Sequence, residues 1–333
     1  MSSPRAKGRP VVLMTSPLDP AAMDTCAQHF EILGLWEHDD REAVLDRRGD
    51  EVRAICAAGH QRVDAALMTW LPHLEIVANF GVGYESIDAA EAARRGVVVT
   101  NAAGSLDDEV ADTAMALLLM TVRELSRSER YLRADRWLEA PYPLTSATVS
   151  GRTMGILGFG RIGEAIAKRA ETFNVTIAYH NRRQKESPYR YYPSLLEMAR
   201  DVDTLMVVLP GGAATRHVVD ADVLRALGPE GVLINVGRGS VVDEQALVEA
   251  LTSRTIKSAG LDVYEDEPHV PQALIDMEHV VLLPHVGSAS VPTRAAMGRL
   301  CIANLVAWFD TGAPLTPVPE SLGLVAAAVP RPG

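Results

Sequence analysis

Through roughly the first hundred residues, short continuous apolar runs alternate with longer stretches whose apolar positions recur every three or four residues. The runs Val11–Met14, Val52–Cys56, Ile76–Ala78 and Val97–Thr100, with a weaker one at Glu31–Trp36, predict strands. Between them, Pro20–Phe30, Arg41–Arg48, Val63–Leu71 and Ala89–Arg95 carry helical spacing, the last stopping at Gly96, a natural helix-ending residue. Strands that are apolar throughout, separated by helices, predict a parallel sheet covered on both faces. From Asp107 to about Arg136 the pattern reads as one long helix with AMALLLM at its centre, which fits either a buried helix or a subunit interface.

Pro141, Pro143 and a Thr/Ser-rich stretch then break the chain, and a second alternation begins. Strands are expected at Thr153–Leu157, Val175–Tyr179, Thr204–Leu209, Val232–Asn235, Ala259–Val263 and Val280–Leu283. Helices fill the gaps at Ile162–Phe173, Ser194–Arg200, Asp222–Leu227 and Glu244–Leu251. The chain is therefore read as α/β, with two doubly wound parallel-sheet domains. A last helix, Pro292–Phe309, follows a second unit that is complete without it, so it is expected to cross back onto the first. This gives a domain of residues 1–103 and 287–333 and another of residues 104–286.

Composition narrows the class. A chain of 333 residues suits two domains, and with 47% hydrophobic and 23% charged residues it is neither disordered nor fibrous. A formal net charge of −11 argues against a nucleic-acid partner, which calls for a basic surplus. No window approaches the ~20 apolar residues that cross a bilayer, so no membrane association is expected. The N-terminal MSSPRAKGRP lacks the apolar core of a signal peptide and reads as a start ahead of the first strand. Cys26, Cys56 and Cys301 have no paired spacing, which excludes a disulfide framework and a cysteine zinc site; no metal is expected. Three ordinary buried thiols fit a reducing cytoplasm.

Chemistry first declares itself at Gly158-Phe159-Gly160-Arg161-Ile162-Gly163, a G-x-G-x-x-G string. It follows a predicted strand and opens a predicted helix, the context that a dinucleotide site requires. Gly158 permits the tight turn, Gly160 lets backbone approach a pyrophosphate, and Gly163 packs helix on strand. The amides of Arg161, Ile162 and Gly163 then lie at the helix N-terminus, where phosphates bind. Enzymes that use NAD place a carboxylate at the end of the next strand. Here Val175–Lys185 reads VTIAYHNRRQK, with no acid. Asn181, Arg182 and Arg183 stand there instead, and guanidinium groups can pair with a 2′-phosphate. The expected cofactor is NADP(H), preferred over NAD(H).

Across roughly Pro10 to Pro319 the chain resembles the D-isomer-specific 2-hydroxyacid dehydrogenase family, in its glyoxylate/hydroxypyruvate reductase and hydroxyphenylpyruvate reductase branch. The resemblance rests on NFGVGYESID (Asn79–Asp88), DDEVADTAMALLL (Asp107–Leu119), the glycine string, GVLINVGRG (Gly231–Gly239), GLDVYEDEP (Gly260–Pro268) and LLPHVGSA (Leu282–Ala289). It implies a Rossmann domain inserted in a flavodoxin-like substrate domain, and reduction of small 2-keto acids to D-2-hydroxy acids. It further implies a catalytic set of Arg238, Glu267 and His285, each after a predicted strand end. Chemistry supports those roles. Hydride reduction of a ketone makes an alkoxide that needs a proton, which imidazolium can give near neutral pH. A carboxylate on the other ring nitrogen fixes the tautomer, and a guanidinium can hold the substrate carboxylate and carbonyl.

The same resemblance implies that backbone N–H groups of Val82 and Gly83 cradle the substrate acid, and that Ala58 belongs to a second substrate-side loop. It also implies cofactor contacts at Pro210, Thr215, Val236 and Asp262. Trp137 matches an aromatic that in this branch reaches toward the partner's active site, though interface packing explains it equally well. A homodimer built on Ala114–Val122 and Trp137 is expected. Competing readings are a nucleotide-sensing, corepressor-like binding protein, and reductases of bulkier acids such as 4-hydroxyphenylpyruvate or 2-ketogluconate. Pocket shape, which no motif encodes, decides among substrates.

Overall fold

The computed structural model describes residues 8–59 and 61–328. The first seven residues, read above as a start before the first strand, and the last five lie outside the described residues. The chain divides into two compact units. One is built from the residues up to Leu106 together with those from Ser290 onward, the other from Asp107–Ala289.

In the first unit, β1 (Val11–Met14), β2 (Glu31–Gly34), β3 (Val52–Ala57), β4 (Ile76–Asn79) and β5 (Val98–Thr100) form a wholly parallel sheet. Its order is β2-β1-β3-β4-β5, the flavodoxin-like arrangement. Because successive strand residues face opposite sides, the sheet feeds two core layers. Val12, Met14, Ala54, Cys56, Ile76, Ala78 and Val98 pack with Ala22 and Cys26 of the helix Pro20–His29, and with Cys301, Ile302 and Leu305 of the helix Val291–Thr311. Leu13, Ile55, Val77 and Val99 pack on the other side with Val44, Leu45, Met68 and Ala92. Fully burying side chains of this size contributes about 1.5–3 kcal/mol each. Burial on both faces is why these strands read as unbroken apolar runs.

The three cysteines, remote in sequence, share one of these layers. All are free and buried, with the Cys56 and Cys301 sulfurs 3.3 Å apart. Burial pushes the Cys26 thiol up to about 12. The hydrogen bond with Cys301, together with burial, raises Cys56 as well. Thiols held in this protonated form are poor nucleophiles.

The second unit carries β6 (Thr153–Leu157), β7 (Thr176–His180), β8 (Arg190–Tyr191), β9 (Thr204–Val207), β10 (Val232–Asn235), β11 (Ser258–Leu261) and β12 (Val281–Leu282). They are parallel, in the order β12-β11-β10-β9-β6-β7-β8. Strand order reverses between β6 and β9, the switch point at which open α/β sheets bind ligands.

One expectation about the segment after Leu106 needs correction. The single helix to Arg136 is two: Asp107–Val122 and Leu125–Arg133. Glu124 sits in the left-handed region at φ 51° and interrupts them. Its carboxylate accepts from the Tyr142 hydroxyl at 2.9 Å and pairs with Arg127, so tertiary contacts hold a break that neither glycine nor proline marks. The apolar stretch Ala114–Val122 turns most of its side chains into its own unit, as the buried-helix reading expects. Ala114, Met115, Leu117, Leu118, Thr121 and Val122 are buried against β10, β11 and the helix Arg161–Glu171 of the same unit. Arg169 reinforces that helix pair through Asp108 and Asp112. The exposed apolar residues lie further on: Trp137 is 65%, Leu138 87% and Leu144 100% exposed.

Candidate active site

The glycine string connects β6 to the helix Arg161–Glu171. Gly158 adopts φ +100°, a conformation that side-chain-bearing residues avoid. A Cβ at Gly163 would meet the Gly158 carbonyl oxygen at 2.5 Å, so helix and loop touch backbone to backbone. At Gly160, the residue capping the helix, a Cβ would meet nothing within 4 Å. Two of the glycines are thus required by the protein itself, while the third leaves open space in front of the helix N-terminus. That space, with the helix amides and their partial positive charge, fits a dinucleotide pyrophosphate. Arg161 is exposed and pairs with Asp107 at 2.7 Å; Ile162 is half-buried beside it.

At the end of β7, Asn181 turns its amide onto the glycine loop. Oδ1 accepts from the Phe159 amide at 2.7 Å, and Nδ2 donates to the Phe159 carbonyl at 3.2 Å. Asn181 therefore braces the glycine loop. Arg182 and Arg183 are exposed, with no hydrogen-bond or ion-pair partner among the described residues. Two tyrosines fix the turn that carries them. The Tyr179 hydroxyl donates to the Lys185 carbonyl at 2.8 Å and accepts from its amide at 3.1 Å. Tyr191 donates to the Asn181 carbonyl at 3.2 Å. Beyond β9, the exposed Pro210 has its carbonyl taken by the Thr215 hydroxyl at 2.7 Å, closing a turn. Val236 lies buried just past β10, its amide donating to the Val207 carbonyl at 3.1 Å.

The catalytic candidates come together within this unit. Glu267 Oε2 lies 2.6 Å from His285 Nδ1, and Glu267 Oε1 accepts from the Tyr264 amide at 3.0 Å. Burial pushes the Glu267 carboxyl up, but the hydrogen bonds from His285 and Tyr264 and the charges of His285 and Arg238 outweigh it. The net displacement is below the ordinary carboxylate value. Arg238 opens a short turn after β10. A Cβ at the following Gly239 would fall on the Tyr264 carbonyl group, so the arginine turn sits directly against the chain leading to Glu267.

Asp262 holds the histidine. Its carbonyl accepts the His285 amide at 2.9 Å, and its carboxylate accepts the Val286 and Gly287 amides at 2.7 and 2.8 Å. Three consecutive amides are thus satisfied by one residue, which fixes His285 in the left-handed region at φ 53°. Asp262 is 1% exposed. Burial raises its carboxyl above the ordinary value against the pull of the two amides. Its place is behind His285, a role that the motif reading, which expected a cofactor contact at Asp262, did not foresee.

In the first unit, Ala58 is bonded at both its amide and its carbonyl to the Thr15 hydroxyl, at 2.8 and 2.7 Å. Val82 and Gly83 lie in the loop after β4, both half-buried. Its carbonyls are taken by the side chains of Asn79 and Asn101. Neither asparagine was singled out from sequence, although a polar residue ending an apolar strand was a visible signal. Among the described residues, no helix is long and apolar enough to cross a membrane, and no group of acidic, histidine or cysteine residues could hold a metal ion.

A family model for the D-isomer specific 2-hydroxyacid dehydrogenase NAD binding domain matches residues 115–287. A glyoxylate/hydroxypyruvate reductase of Arabidopsis thaliana is 43% identical over 308 residues, covering 92% of this chain and 98% of the relative. A hydroxyphenylpyruvate reductase of Plectranthus scutellarioides is 41% identical over the same length, with the same coverage. Among solved structures, an NADPH-dependent glyoxylate/hydroxypyruvate reductase of Sinorhizobium meliloti, in complex with NADP and malonate, is similar with a TM-score of 0.89. It shares 50% identity, over 94% of this chain and 98% of that one. With this fold and these matches, the chain belongs to the D-isomer-specific 2-hydroxyacid dehydrogenase family.

Proposed function

We propose that this protein is an NADPH-dependent reductase of small 2-keto acids, of the glyoxylate and hydroxypyruvate type, producing D-2-hydroxy acids. The observation that carries the reading is the 2.6 Å contact between Glu267 and His285 Nδ1 beside the Arg238 turn. The similar proteins named above support the substrate class, and the S. meliloti enzyme supports the cofactor.

The reduced nicotinamide, when bound, supplies a hydride. With Nδ1 engaged by Glu267, His285 meets the substrate through Nε2 and gives its proton to the oxygen that becomes the alkoxide. Glu267, displaced toward the ionised form, keeps the imidazole in one tautomer with Nε2 left for the substrate. Arg238 orients the carboxylate and carbonyl and stabilises charge as it develops. The amides of Val82 and Gly83 hold the substrate carboxylate, and Ala58 lines the substrate side. On the cofactor, the amides from Arg161 to Gly163 take the pyrophosphate, Arg182 and Arg183 the 2′-phosphate. Pro210, Thr215 and Val236 form the wall along it. A cytoplasmic homodimer fits the protonated thiols and the exposed apolar residues around Trp137.

The test is kcat/KM for glyoxylate, hydroxypyruvate, 4-hydroxyphenylpyruvate and 2-ketogluconate, each with NADPH and NADH. Glyoxylate or hydroxypyruvate with NADPH should lead. A bulkier acid in front would overturn the substrate class, and NADH in front the cofactor assignment. His285→Ala should lower kcat by about 10²–10⁴-fold with NADPH affinity unchanged. Glu267→Gln removes the carboxylate facing Nδ1, so kcat should fall and the pH–rate profile of reduction should change. An unchanged profile would separate the two residues' roles.

A further inference from the structure

The loop after β4 has an uneven hydrogen-bond inventory. Asn79 Nδ2 donates to the carbonyls of Gly81 at 2.9 Å and Gly83 at 2.8 Å. Asn101 Nδ2 donates to the Val82 carbonyl at 2.8 Å, and the Ala102 amide to Gly81 at 2.9 Å. All three successive carbonyls are therefore committed. No acceptor is present among the described residues for the amides of Val82, Gly83 and Tyr84.

In a trans peptide, the carbonyl of one residue and the N–H of the next lie in one plane and point in opposite directions. Fixing the Gly81 carbonyl toward Asn79 thus turns the Val82 N–H away from it, and fixing the Gly83 carbonyl does the same for Tyr84. Fixing the Val82 carbonyl toward Asn101 turns the Gly83 N–H away from that side. Neither asparagine is loose. Asn79 is 6% exposed. Asn101 donates its own amide to the Thr316 carbonyl at 3.2 Å and accepts from the Thr316 hydroxyl at 2.6 Å. Thr316 is in turn fixed by Asn304, which is fully buried.

We propose that Asn79 and Asn101 are positioning residues for substrate, aiming the loop's amides at the keto acid's carboxylate by holding its carbonyls back. The proposal rests on the carboxylate role given above to Val82 and Gly83. It adds that selectivity for an acid over an uncharged carbonyl compound resides partly in two side chains that never touch the ligand. Free amides preset in this way cost no reorganisation when the anion arrives. Their effect falls on substrate binding, because the carboxylate is unchanged between ground and transition states.

The experiment compares glyoxylate with its methyl ester, which keeps the reacting carbonyl but lacks the charge. The unsubstituted enzyme should prefer the acid. Asn79→Ala should raise KM for glyoxylate about tenfold, the upper range for hydrogen bonds of this kind. KM for NADPH and kcat should stay within about twofold, and the acid-over-ester ratio should fall by the same tenfold. A purely structural role would lower thermal stability and depress both substrates equally, leaving that ratio in place. Should Asn79→Ala not fold, Asn101→Ala supplies the same ratio with an expected fall of about threefold. An acid preference that survives both substitutions overturns the proposal while the carboxylate role stands. An unsubstituted enzyme with no acid preference overturns both.

Discussion

The glycine loop after β6 and the asparagine-braced loop after β4 both present backbone amides with no partner among the described residues, but they do so by different means. After β6, the amides belong to a helix N-terminus and owe their direction to the helix. What the sequence must supply is room, and it does so by omitting side chains at Gly158, Gly160 and Gly163. After β4 no helix begins at the loop, so direction comes from Asn79 and Asn101 seizing the carbonyls. The first device is a pattern of absences at fixed spacing. The second is a pair of ordinary polar residues 22 positions apart whose purpose appears only once β4 and β5 lie side by side.

The largest effect that bears on this contrast is expected where the glycine loop needs help from side chains. Arg182 and Arg183 stand beyond β7 with no partner among the described residues. Replacing both with alanine should raise KM for NADPH about ten- to a hundredfold, the range of a charge-assisted contact. KM for NADH should barely move, because it has no phosphate there to lose. Equal effects on both cofactors would mean that the pair supports the loop and does not read the 2′-phosphate.

A second measurement separates the two requirements within the glycine loop. Gly163→Ala forces a Cβ to within 2.5 Å of a backbone oxygen. Backbone has to shift, and overpacking of this kind costs about 1–3 kcal/mol of stability. Gly160→Ala meets only open space, so its melting temperature should match that of the unsubstituted protein while KM for NADPH rises by about tenfold. If Gly160→Ala is neutral in both respects, the space before the helix is not where the pyrophosphate lies.

Much of this molecule could be read before its structure was known, and the reasons differ by region. Doubly covered strands announce themselves as apolar runs, and Gly158–Gly163, Arg238, Glu267 and His285 stand in strings whose order carries meaning. The break at Glu124 was illegible because its left-handed backbone is held by Tyr142 and Arg127, not by a turn-forming residue. The helix Asp107–Val122 fitted either a buried helix or an interface, because apolar periodicity shows that a face is buried but not against what. The two-residue strand β8 is too short to have a period at all. Asp262 was expected as a cofactor contact; its satisfying of the amides of residues 285–287 was illegible because it depends on β11 and β12 being neighbours.

The smallest effect expected asks whether side-chain bracing, so plain after β4, also operates beside the glycine loop. Tyr179 is fully buried and stacks on Phe159 at 4.5 Å, while its hydroxyl closes a two-way bond with Lys185. That clip fixes one end of the Arg182–Arg183 turn, and the Tyr191 hydroxyl fixes the other at Asn181. Tyr179→Phe keeps the ring and its stacking but releases Lys185. The two guanidinium groups should then lose order before binding, and the cost should appear as a two- to fivefold rise in KM for NADPH alone, a fraction of one hydrogen bond. Hydrogen exchange at the Lys185 amide should speed up in parallel. Faster exchange with no change in KM would show that the arginines do not depend on the clip, leaving Asn181 as the side chain that braces the cofactor side.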